Sequence, residues 1–145
     1  MNDGFIRGDS LIRDRFEWGT VDWRCRGANT GSSQIVVFEV TLDPGQAHDF
    51  HRHPEQEEFI TIQQGTVTQF LDDESTVLVA GDSVYVAADT VHATFNVSDE
   101  PAKVFVVISP AKGVDSYEVV DVSGDEPWAS VRRPESADRQ EEGNH

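Results

Sequence analysis

The middle of the chain is a run of short β-branched segments, each closed by turn chemistry, with no amphipathic helical stretch of a dozen residues between them. Residues 34–42 (QIVVFEVTL) stop at Asp43-Pro44-Gly45, where proline presets φ and glycine supplies the positive φ of a turn. Further segments follow over 58–64, closed by Gly65, over 66–70, ended by Asp72-Asp73-Glu74-Ser75, and over 76–79, ended by Ala80-Gly81-Asp82. Residues 83–86, 92–97 and 102–109 complete the set, with turns at Ala88-Asp89-Thr90 and Ser98-Asp99-Glu100-Pro101. Many short strands at near-regular spacing predict an all-β sandwich or barrel. No internal repeat of helical-solenoid length is present.

Charge narrows the partners. A chain of 145 residues is one domain in size, and its formal net charge of −16 repels phosphate backbones and anionic lipid. Neither nucleic acid nor a membrane is expected as a partner; a small-molecule substrate is. Residues 1–16 contain no signal-peptide apolar stretch, and the longest apolar blocks, such as 104–108, fall far short of the roughly 20 residues that span a bilayer. The single cysteine, Cys25, can form neither an internal disulfide nor a thiolate zinc site, so a cytoplasmic protein is expected. The acidity is uneven: residues 1–33 are neutral, 34–110 carry net −11 and 111–145 carry net −5. We therefore divide the chain into an N-terminal arm (1–33), a barrel (34–110) and an acidic C-terminal extension (111–145), disordered toward its end.

His51 and His53 are two residues apart, so on a strand their rings share a face and can reach one ion. Glu58 opens the next strand, and His92 begins another beyond the Gly81 turn. Three imidazoles and a carboxylate converging from separate strands make a nitrogen and oxygen shell suited to Fe(II), Mn(II), Ni(II) or Zn(II), and four protein ligands leave one or two positions open for chemistry.

The spacing from Gly45 to Gly65, with His51, His53 and Glu58 between, followed by Gly81, His92 and Asn96, resembles the two-part signature of the cupin superfamily. The short gap between the two parts is similar to that of small single-domain bacterial cupins. The resemblance covers about residues 34–110 and implies a double-stranded β-helix, or jelly-roll barrel, with His51, His53, Glu58 and His92 as metal ligands. It also implies a homodimer joined through the arm. The pattern departs from the family at Ala87 and Asp89, where Pro and Gly usually precede the second-motif histidine. Asp tolerates positive φ better than most residues, so a tight turn at Asp89 stays feasible. Glu57 competes with Glu58 as the acidic ligand; Glu58 fits the count to Gly65 and places Ile60 and Ile62 on its own face.

The remaining features carry plainer readings. Phe38, Phe50, Phe59, Phe70, Tyr85, Phe95 and Phe105 are expected as core or pocket wall. His48 is expected as an exposed loop histidine, with support of His51 as the alternative. Trp18 and Trp23 are expected to cover a barrel edge, in cis or on a partner. Arg24 and Arg26 are expected as surface charges, with a substrate carboxylate as the alternative. Asn96 is expected to support the site or a turn rather than to ligate. The functional expectation is a metal-dependent enzyme on a small polar substrate, first a dioxygenase, with Glu58 loosening to take the substrate proton as the resemblance implies. The alternatives are a sugar-type isomerase or lyase, and a non-catalytic ligand-binding module with a structural metal.

Overall fold

The structure, a computed structural model, describes residues 4–113 and 116–135. Eleven strands form two antiparallel sheets that pack face to face as a double-stranded β-helix. The six-stranded sheet contains β1 (Ile12–Phe16), β2 (Gly19–Cys25), β3 (Val36–Leu42), β5 (Glu57–Gln64), β8 (Ser83–Val86) and β10 (Ala102–Ser109), in the order β1-β2-β3-β10-β5-β8. The five-stranded sheet contains β4 (Ala47–Arg52), β6 (Thr66–Leu71), β7 (Glu74–Val79), β9 (His92–Phe95) and β11 (Val120–Asp121), in the order β11-β4-β9-β6-β7. Among the described residues no helix is long and apolar enough to cross a membrane.

Strand parity builds the main core. In β10 every second residue is buried, so Val104, Val106 and Ile108 face the other sheet, beside their register partners Val40, Phe38 and Val36 of β3 in the same sheet. The same parity turns Glu58, Ile60 and Ile62 of β5 inward. It also turns Phe59 outward, where it pairs with Tyr85 of β8. These two rings, expected in the core, are 47% and 53% exposed. Phe38, Phe50, Phe70 and Phe95 are buried as expected.

The arm extends the barrel sheet in cis. β2 pairs with β3 along its whole length, covering that edge, and β1 pairs with β2. Gly19 permits this docking: its φ is +149°, and a Cβ there would lie 1.8 Å from the Thr41 carbonyl oxygen. Trp23 is buried against Phe38. Arg24 pairs with Glu39, and the Arg26 guanidinium lies 3.9 Å from the Trp23 ring centre. A second apolar cluster, not anticipated, lies on the far side of the five-stranded sheet. There Phe50, Phe70 and Phe95 meet Val122, Trp128 and Val131, so residues 120–131 cover a face that would otherwise be bare. The expected disorder near the C-terminus concerns residues 136–145, which lie outside the described residues.

Asn96 ties two turns together just beyond β9. Its amide nitrogen donates to the carbonyl oxygens of Leu42 (3.1 Å), Asp43 (3.3 Å) and Glu100 (2.7 Å), and its amide oxygen accepts from the Ser98 backbone N–H and hydroxyl. It is a turn support, 1% exposed. Asn96→Ala leaves these buried groups unsatisfied and should cost about 2–4 kcal/mol, read as a lower denaturant midpoint at unchanged slope.

Candidate metal centre

β4 ends at Arg52, so His51 lies on the strand and His53 one residue past it. The turn through Pro54, Glu55 and Gln56 then crosses to the other sheet and delivers Glu58 as the second residue of β5. His92 opens β9 directly opposite His51 in the strand register. The turn before it does use Asp89 at φ +65°, where the family usually has glycine. Asp89 is fixed there by Arg52, whose Nη1 donates to its carboxylate at 2.7 Å, and by its own backbone N–H, which donates to the His53 carbonyl at 3.2 Å. The turn carrying one imidazole is thereby clamped to the strand carrying the other two.

The structure brings His51, His53, Glu58 and His92 together, with one potential ligand atom from each lying within 4.8 Å of the others. That span is about twice a metal–ligand distance of ~2.1 Å. All four are buried, none more than 6% exposed. Glu57, the competing carboxylate, is exposed on the outer face and accepts from the Tyr85 hydroxyl.

Tautomer follows from the backbone. His51 Nδ1 faces the Asp49 carbonyl at 2.7 Å, His53 Nδ1 that of Glu118 at 2.8 Å and His92 Nδ1 that of Thr90 at 3.0 Å. A carbonyl can only accept, so each Nδ1 carries the proton and each Nε2 presents a lone pair. Glu58 Oε1 lies 3.1 Å from His53 Nε2 and 2.8 Å from His92 Nε2. Yet neither Glu58 Oε1 nor His92 Nε2 has a hydrogen-bond partner of acceptable geometry, although both are fully buried. Buried polar atoms are rarely left so, and two of them aimed at one point fit a shared cation.

The electrostatics agree with that fit. Burial alone would raise the Glu58 pKa, but the facing His92 and His53 rings outweigh it and hold the carboxyl well below its usual range. Burial alone would lower His92, but the Glu58 charge outweighs it and shifts that ring upward. Burial holds His51 well below its ordinary value. A proton on His92 would therefore occupy the place that a cation would take.

A cavity of about 250 Å³ opens from the donors toward the arm. Val40, Leu42, Ile60, Val104 and Val106 form its wall, and Phe16, Trp18 and Tyr117 line it nearer the arm and the C-terminal segment. The polar lining residues gather around the donors, and the rest of the wall is largely apolar. His48 is no exposed loop residue: it lines the cavity from β4, stacked on His51 at 3.7 Å between ring centres, with Trp18 at 5.8 Å beyond it and Phe16 at 4.9 Å from Trp18. Burial lowers its pKa to about 4, leaving it uncharged.

Sequence reasoning missed Gln56 and Glu118. Gln56 is 1% exposed; its Nε2 donates to the Pro110 and Ser116 carbonyls at 2.8 and 3.2 Å, and its Oε1 accepts from the Glu118 N–H at 3.0 Å. It thus holds the segment whose carbonyl orients His53. A polar residue two before the acidic ligand was the available signal; a backbone carbonyl 65 residues from its histidine leaves none.

Residues 38–108 match the family described as "Cupin domain". "Polyketide synthase CurC" of Streptomyces cyaneus is 30% identical over 95 residues, which make up 66% of this chain and 59% of that protein, so less than two thirds of the relative's length is spanned. KdgF from Halomonas sp. superposes with a TM-score of 0.67 at 19% identity, over 77% of this chain and 96% of that one, a likeness of fold alone. A structure of oxalate decarboxylase from Bacillus subtilis, studied for its Mn(II) centres, gives a TM-score of 0.65 at 26% identity over 77% of this chain and 30% of that one.

Two outcomes follow for metal retention. Gln56→Ala, which removes no donor, should weaken divalent-metal affinity by about 10–100-fold in competition with a chromophoric chelator. Acidification should release metal: protons compete for the Nε2 lone pairs, first at His92 with its raised pKa, so affinity falls as pH drops from about 7 to about 5.

Proposed function

The barrel of this chain belongs to the cupin family, and from that premise we propose a metal-dependent dioxygenase acting on a small carbonyl compound. The supporting observation is the convergence of three Nε2 lone pairs on the Glu58 carboxylate, with the inner atoms of Glu58 and His92 buried and unpartnered. His51, His53, Glu58 and His92 would hold the ion, which supplies Lewis-acid polarisation of a chelated oxygen and, when it is iron, redox chemistry with dioxygen.

The chain's own residues do the rest. The Asp49, Thr90 and Glu118 carbonyls fix the imidazole planes before any ligand arrives. The apolar wall keeps water from the reacting centre. Glu58, loosening from the ion, serves as proton acceptor for an acidic C–H or O–H of a substrate seated above it. A second reading is metal-assisted chemistry without oxygen, as in a sugar-type isomerase or lyase, which the same four donors would also serve. We further propose a homodimer through the arm, where β1 is an exposed edge strand with Ile12 and Phe16 at the surface. Sedimentation velocity should give a two-chain mass, and a single-chain mass at micromolar concentration overturns it.

Anaerobic loading with Fe(II), followed by oxygen uptake against 1,3-diketones, flavonols and thiols, tests the oxygenase. Uptake should appear with at least one class and fall by about 10²-fold or more in Glu58→Gln and His92→Ala. Conversion without uptake would transfer the site to the non-redox reading, and neither conversion nor uptake with any metal would leave a binding module.

A further inference from the structure

The polar end of the cavity is confined to its floor. Beyond the four donors and the uncharged His48 the wall is mainly Val40, Leu42, Ile60, Val104 and Val106, with Trp18 and Tyr117 toward the arm and the C-terminal segment, and no Lys or Arg lines it among the described residues. Thr94, one of the few other polar residues there, already donates its hydroxyl to Gln69 Oε1 at 2.6 Å. Several guanidiniums are held in ion pairs outside the cavity: Arg13 with Asp22, Arg24 with Glu39 and Arg52 with Asp89. Arg26 lies over Trp23.

Charge balance then limits what can enter. A divalent ion held by Glu58 and three neutral imidazoles leaves one net positive charge inside an apolar enclosure. A ligand that ionises once, as an enolised 1,3-dicarbonyl does, cancels that charge. A second carboxylate or a phosphate would sit against aliphatic side chains with no cation to pair it, an arrangement that burial strongly disfavours. Size adds a further limit, since about 250 Å³ is below the roughly 300–1,000 Å³ of sites for drug-sized ligands.

We infer that the substrate has a compact apolar body and a single chelating end that ionises once, and that dicarboxylates, sugar acids and phosphorylated compounds are excluded. The chelating end rests on the metal reading above; the apolar body rests on the wall alone.

Zn(II)-loaded protein, which cannot turn over dioxygen, is titrated with three probes that share one diketone head. Benzoylacetone adds a phenyl ring, acetylacetone adds nothing, and 2,4-dioxopentanoate adds a carboxylate. Binding is read by calorimetry and by quenching of tryptophan fluorescence, since Trp18 lines the cavity. Benzoylacetone should bind at least about tenfold tighter than acetylacetone, and 2,4-dioxopentanoate weaker than either. Trp18→Ala should reduce the preference for the phenyl probe by about threefold or more. Equal or tighter binding of 2,4-dioxopentanoate, or a preference unchanged in Trp18→Ala, overturns the inference. A chelator-treated arm separates the two readings: if the diketone affinities do not change on removing the metal, the metal reading fails, while the order of phenyl and carboxylate probes still decides the substrate class.

Discussion

Three backbone carbonyl oxygens govern the centre of this protein. Asp49, Thr90 and Glu118 each accept the Nδ1 proton of one histidine, which fixes the tautomer and aims the other nitrogen inward. Carbonyls are held in place by the chain itself, so the imidazole orientation is as rigid as the strands and turns that carry it. Each supporting contact clamps one of these turns: Arg52 on Asp89 before His92, and Gln56 on the segment at Glu118. Without that rigidity the four donors would be ordinary buried polar groups seeking hydrogen bonds, and leaving two of them unpartnered would be costly.

Legibility in the sequence followed the range of the interactions. Most strands from 34 to 109 could be read because alternation and turn residues are local signals, whereas β4, with its AHDFHR sequence, was not among them; the four-residue cluster could be read because two-residue spacing sets His51 beside His53 and parity sets Glu58 with Ile60 and Ile62. The same parity rule, applied to Phe59, would have placed it outside; treating every aromatic ring as core filling overlooked it. β2 was hidden for another reason. Its sequence GTVDWRC mixes charges with apolar residues, and its outward Asp22 finds Arg13 only through pairing with β1. His48 was misjudged because its environment is tertiary: Trp18 covers it from the β1–β2 turn, 30 residues earlier.

The acidic surface and the apolar interior answer different requirements. The barrel region carries a net negative charge that repels polyanions, whereas neither Lys nor Arg lines the cavity among the described residues. Glu58 is the sole carboxylate among the lining residues, so inside the cavity negative charge is rationed.

The lining is divided between two sources. Strands common to the matched region, 38–108, supply every donor of the cluster and most of the aliphatic wall, whereas Phe16, Trp18 and Val21 come from before it and Tyr117 and Val119 from after it. The donors and most of the wall therefore come from one stretch, and the lining nearest the arm and the C-terminal segment from two others. Redrafting the flanks would reshape the outer part of the cavity but would not leave the centre untouched, because the carbonyl that orients His53 travels with the C-terminal flank.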